Sequence, residues 1–168
     1  LLTDEGWGVV PLWADVAPEP AAPASPRAAY AAALEDLLYG DLLPDGARCD
    51  PYDERELNQF AVCDVDGDGA EELVLLFTNT YTAGMAGYVC AYDEETGALR
   101  TQLLEFPMLT FYENGAVTAG WSHNQGRAGD SLWPYTLYRY DAASDRYVQT
   151  ALVDAWSRAY TEPLGLTE

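Results

Sequence analysis

Residues 64–72 read DVDGDGAEE, with Asp64, Asp66 and Asp68 at alternate positions and Glu72 closing the run. Carboxylates a few ångströms apart repel by about 1 kcal/mol per pair even at the dielectric of water, so such a cluster asks for a cation. Calcium takes about six to eight hard oxygen ligands in a flexible geometry. Positions one, three and five supply the Asp64, Asp66 and Asp68 carboxylates, position seven the Ala70 carbonyl and position nine the Glu72 carboxylate. Gly67 and Gly69 let the backbone curl tightly enough to aim them inward. An EF-hand would place a bidentate Glu at position twelve; here that position is Leu75, inside the apolar run LVLLF. The expectation is a structural Ca²⁺ held in a strand–loop–strand hairpin. The bland alternative is an acidic turn built from turn-favouring Asp and Gly.

A second dense stretch, residues 120–140, sets a polar, glycine-rich loop between Trp121 and Trp133. His123, Asn124, Gln125, Arg127 and Asp130 offer hydrogen-bonding groups beside aromatic rings, a mixture suited to small polar ligands such as sugars. Residues 78–87 follow the acidic hairpin and bring Tyr81 as a further candidate for the same edge. Trp121, His123, Asn124, Gln125, Trp133 and Tyr81 are therefore the candidate ligand-binding residues. Against this, strand aromatics usually pack sheet faces. His123 is the sole histidine; a catalytic arrangement would pair it with Asp130 and with Ser122 or Ser131. No G-x-S-x-G elbow supports that, and no catalytic residue is assigned.

The elements around these loops are legible in outline. Ser25 suits an N-cap and Pro26 the first helical position; Tyr30, Ala33, Leu34, Leu37 and Leu38 then recur at helical spacing and Gly40 ends the helix. Asp53 and Glu56 have the spacing of a capping box for a short helix. QFAVCDV and ELVLLFT flank the acidic loop, GYVCAYD and LRTQLLE flank EETG, LTFYEN and AVTAGW meet at Asn114-Gly115, and PYTLYRYD and RYVQT flank AASD. These are hairpin signals, and residues 152–160 read as a closing helix. The fold expected is α+β: an antiparallel, curled or propeller-blade-like sheet of about eight strands, with an N-terminal helix and a short C-terminal helix. Eight strands are too few to close a propeller. Residues 1–25, with VAPEPAAPASP, read as an extended proline-rich tether, and residues 26–168 as one globular domain.

The chain has 168 residues, 28 Asp+Glu against 8 Lys+Arg and a formal net charge of -20. That balance excludes nucleic acid as a partner and disfavours anionic lipid. At 49% hydrophobic and 12% aromatic, the chain can bury a core and is not a disordered acidic segment. No stretch reaches the roughly 20 apolar residues of a membrane helix, so membrane insertion of the domain is not expected. No signal peptide or initiator Met is visible, which reads as a mature or trimmed chain. Cys49, Cys63 and Cys90 form no C-x-x-C pair. Cys63 and Cys90 read as small buried thiols, and one disulfide with a thiol left over stays open.

Two resemblances add to this. The pattern D-x-D-G-D-G-x-x-[DE] between strands resembles the calcium loops of FG-GAP and integrin-type repeats, with Glu72 where an aspartate is usual. FAVCDVDGDGAEELVLLFTNTYTAGM, LLEFPMLTFYENGAVTAGWSHNQG and WPYTLYRYD with VDAW resemble a family of secreted or lipid-anchored proteins of Gram-positive gut bacteria with no assigned activity, over roughly residues 30–160. That resemblance implies an extracellular domain tethered to the cell surface, although no lipid-accepting cysteine precedes the tether here. Function on this reading is a calcium-stabilised, non-catalytic binding or interaction module, its partner a carbohydrate or a surface protein. The alternatives are a secreted hydrolase of glycans or cell wall using the His123 loop, and a structural spacer of a surface assembly.

Overall fold

The structure, a computed structural model, describes residues 25–52, 57–126, 133–154 and 156–157. Most of the proposed tether, the Asp53–Glu56 capping box, Arg127, Asp130 and Ser131 lie outside these residues. The described residues form an α+β fold of one N-terminal helix and two antiparallel four-stranded sheets, neither closed.

Helix α1, Pro26–Gly40, begins where the sequence places it: the Ser25 hydroxyl accepts the Ala28 N–H at 3.3 Å. It ends through Asp41, whose left-handed backbone (φ 54°) returns its N–H to the Asp36 carbonyl. Ala29, Tyr30 and Leu37 form its buried stripe.

The first sheet is a meander of β1 (Gln59–Cys63), β2 (Glu72–Phe77), β3 (Ala86–Asp93) and β4 (Ala98–Glu105). The second repeats that order with β5 (Leu109–Phe111), β6 (Ala116–Gly120), β7 (Tyr135–Asp141) and β8 (Arg146–Val153). The eight strands expected are present, but divided between two sheets. The division falls at Phe106-Pro107-Met108, where Pro107 has no N–H to continue a ladder. A short backbone bond from Met108 N–H to the Phe106 carbonyl (2.7 Å) turns the chain into the second sheet.

Side-chain alternation makes β2 the centre of a three-layer stack. Leu73, Leu75 and Phe77 point to one face and meet Tyr30 and Leu37 of α1, with Tyr88 and Cys90 of β3. Val74 points to the other face, where Val89 and Leu103 join Val117 and Tyr147 of the second sheet. Both faces of β2 are therefore covered, as the unbroken run ELVLLF requires.

Two expectations are corrected. The closing helix of residues 152–160 is not shown: Leu152 and Val153 continue β8 opposite Thr136 and Tyr135. Beyond the strand, Ser157 N–H reaches the Asp154 carbonyl, and residues 155 and 158–160 of the expected helix lie outside the described residues. Val153 is wholly buried in strand pairing, and that burial outweighs the helical spacing of its neighbours. The second correction concerns Cys63, which is exposed on the edge strand β1, whereas Cys90 is buried as expected. No disulfide joins Cys49, Cys63 and Cys90 to one another.

Candidate metal centre

The acidic loop joins β1 to β2, and its aspartates first organise their own backbone. Asp64 accepts the N–H groups of Gly67 (2.7 Å) and Gly69 (3.2 Å), Asp66 that of Asp68 (3.0 Å), and Asp68 that of Ala70 (2.7 Å). Gly67 and Gly69 take φ of +82° and +95°, the left-handed region that costs glycine least. The loop thus folds back on Glu72, the first residue of β2.

Glu72 is 1% exposed, and its carboxylate accepts the Val65 N–H at 3.0 Å. Burial pushes its pKa up to about 7; the Val65 bond opposes the shift, and the charges of Asp66, Asp68 and Asp64 add to it. Asp66 is also raised, chiefly by burial, against bonds from Asp68 N–H and Gln102. Carboxylates held where their charge is disfavoured either take up a proton or are compensated by a cation.

One carboxylate oxygen each of Asp64, Asp66 and Glu72 lie within 4.8 Å of one another. Oxygens sharing a calcium ion at about 2.3–2.6 Å stand no more than about 5 Å apart, so this triad can hold a metal ion. Asp68 does not join the cluster, its carboxylate being turned to the Ala70 N–H. Of the four carboxylates singled out in the sequence, the fold draws three together.

The chain matches no family model, and no curated protein and no solved structure is similar to it at a significant level. What the site does must be argued from its own contacts.

Those contacts reach beyond the loop. Gln102, 4% exposed, donates from Nε2 to Asp66 Oδ2 (3.0 Å) and to Asp145 Oδ1 (2.6 Å). A bulge in β4 makes this geometry. Val89 pairs with Leu103 and Cys90 with Thr101, leaving Gln102 as the extra residue. Strict alternation would put neighbours 102 and 103 on opposite faces; the bulge turns both toward the second sheet. The Gln102 Oε1 is buried and without a partner among the described residues, an orphaned hard oxygen of the kind an ion or water satisfies.

Asp145, from the β7–β8 turn, also bonds the Tyr140 hydroxyl (2.8 Å) and Arg100. Burial works against its charge, but the bonds from Gln102, Tyr140 and Arg100 hold its pKa below the usual range. The Tyr147 hydroxyl donates to the Val65 carbonyl at 3.1 Å. On the opposite side, Arg27 of α1 makes a two-pronged pair with Glu71 (2.9–3.0 Å), and the Tyr30 hydroxyl donates to the Glu71 carbonyl. All three layers grip the acidic loop. Gln102, Asp145, Tyr147 and Tyr30 carried no local signal, because each lies dozens of residues away in sequence.

The candidate ligand-binding residues are not one cluster. The Trp121 indole N–H bonds Thr136 Oγ1 (3.3 Å), and its ring stands 6.2 Å from that of His123, at 45°. His123 Nδ1 lies 3.3 Å from the adjacent Ser122 hydroxyl. Asn124 accepts the Gly126 N–H, and Gln125 sits at φ 57°; both shape the turn. Trp133 donates from its indole to the Trp121 carbonyl (2.6 Å) and is 39% exposed. Tyr81 is exposed beside a different cavity, lined by Leu43, Cys49 and Phe77.

Proposed function

We propose that the protein is an extracellular, calcium-stabilised binding module without catalytic activity, tethered to the cell surface by residues 1–25. The observation that carries this reading is the convergence of Asp64, Asp66 and Glu72 within 4.8 Å, one of them fully buried. An all-oxygen, carboxylate-rich set suits a hard cation over a thiophilic one. Calcium takes about six to eight oxygens in a flexible geometry whereas magnesium demands a near-ideal octahedron, and an irregular loop meets the first demand more readily. Ca²⁺ here acts as a structural tie: it neutralises the loop that α1, β4 and the β7–β8 turn all contact. Extracellular calcium modules bind at about 10⁻⁴–10⁻³ M, so such a site is filled outside a cell and largely empty inside one. The groove described below favours a binding module over a plain spacer. The hydrolase alternative rests on His123, which is exposed and paired with the neighbouring Ser122 hydroxyl.

Calorimetric titration of EDTA-treated protein with CaCl₂ tests the reading. Saturating at 100 Kd stabilises by about 2.7 kcal/mol, which raises Tm by roughly 5–10 °C in a chain of this size. MgCl₂ at matched ionic strength gives less than half that rise, and Asp64→Asn loses most of it. No heat with millimolar CaCl₂, together with equal Tm in calcium and EDTA, would end the proposal.

A further inference from the structure

The second sheet carries a groove that the metal centre does not touch. It holds about 480 Å³ and is lined by Met108, Thr110, Tyr112, Thr118, Trp133 and Tyr135, with Gly120 and Leu109 completing its wall. Its volume falls in the range of small-ligand sites, about 300–1,000 Å³. Register explains why these residues meet. Thr110 pairs with Thr118 and Gly120 with Tyr135, and directly paired residues share a face. That face is turned away from the first sheet, since the intervening Phe111, Val117 and Tyr138 pack toward it. Gly120 lets the groove wall close up: a Cβ there would stand 3.1 Å from Met108 Cβ.

Three features define what fits. Among the described residues, no side chain lining the groove is charged, although the chain as a whole carries -20. Anionic ligands are repelled by the overall field, and a cation finds no counter-charge among the described lining residues. Four hydroxyls, from Thr110, Tyr112, Thr118 and Tyr135, are each able to donate and accept; those of Tyr112 and Thr118 stand 3.5 Å apart. Burial and the nearby Tyr112 raise the Tyr135 pKa, so it stays a neutral phenol. Lastly, the Trp133 ring is exposed while its N–H is fixed on the Trp121 carbonyl, so the ring is held in place before any ligand arrives. An aromatic face is electron-rich and meets the weakly positive C–H face of a sugar ring, leaving the sugar hydroxyls for the groove's own.

We propose that this groove is a binding site for neutral carbohydrate, with Trp133 as its stacking platform and the Thr110, Tyr112, Thr118 and Tyr135 hydroxyls as its polar contacts. The inference rests on the binding-module half of the reading above and is independent of calcium.

Affinity electrophoresis in native gels tests it, with xyloglucan, galactomannan, laminarin or soluble starch as neutral probes and polygalacturonate as the anionic one. At least one neutral polysaccharide retards the protein, polygalacturonate does not, and Trp133→Ala weakens retardation at least fivefold. Thr110 is exposed on β5, so Thr110→Arg obstructs the groove without entering the core and abolishes retardation even if Trp133→Ala fails to fold. Retardation that survives Thr110→Arg leaves the protein a binding module and overturns the groove as its site. Retardation by polygalacturonate as strong as by the neutral probes overturns the ligand class. No retardation by any probe overturns the inference while leaving the calcium titration to stand or fall separately.

Discussion

A single glutamate carries the most information in this molecule. Glu72 begins β2 opposite Cys63, so strand alternation sends its carboxylate to the interior face, where Val65 N–H and two aspartates await it. Its pKa of about 7, against an ordinary 4.5, fixes the sign of a pH effect. Between those values the metal-free folded chain holds a proton that the unfolded chain has released. The stabilisation present below about pH 4.5 is therefore lost as pH rises through 7. Glu72→Gln keeps an oxygen for Val65 N–H and has no charge to bury. In EDTA this variant gains Tm over the wild type progressively from pH 5 to pH 8. In saturating CaCl₂ the order reverses, because the variant has lost a ligand and binds calcium at least tenfold more weakly. Thermal melts in the two buffers across that range check both halves.

The acidic loop was readable because its carboxylates lie within nine residues and the glycines between them encode the turn. The strand Gln59–Cys63, the strand Glu72–Phe77 and the Ser25 cap were readable for the same local reasons. What held the loop in place was not. Gln102 reaches it through a bulge, and nothing in ALRTQLLE announces where a ladder will slip. Asp145 reaches it because the second sheet docks there. The division into two sheets did have a signal, Pro107 between two strand-like runs, which hairpin counting alone passes over. Trp121 and Trp133 look equivalent in sequence. The fold gives Trp121 to Thr136, on a face packed against the interior, and Trp133 to the groove.

At the level of elements, β4 is the link between the acidic loop and the second sheet. Gln102 ties Asp66 to Asp145, and through Asp145 to Tyr140 and Arg100. Gln102→Ala strips two carboxylates of a shared donor, with an expected cost of about 1–3 kcal/mol. Urea unfolding shows a lower midpoint. Calcium affinity falls as well, because Asp66 is no longer held toward Asp64 and Glu72. Gln102→Glu fares worse than Gln102→Ala without calcium, since it adds a third like charge between two carboxylates. A calcium titration of both variants separates loss of loop geometry from loss of bulk stability.

Over the whole molecule, charge and architecture divide the labour of keeping copies apart. Sheet edges ordinarily carry lysines, prolines or bulges that stop them from pairing with a neighbour. Among the described residues strand β1 is an edge, and its sequence QFAVC has no charge and no proline, while Phe60 stands 62% exposed on it. The molecule as a whole carries -20, and mutual repulsion does the work that the strand itself does not. That protection is conditional. Near pH 4 most carboxylates take up protons and the repulsion fades, leaving the bare strand as a template for intermolecular pairing. Light scattering on mild acidification rises steeply for the wild type and far less for Phe60→Lys, which puts a permanent charge on that strand. A surface whose colloidal behaviour hangs on ionised carboxylates is expected to disperse best at neutral pH and to self-associate as protons accumulate.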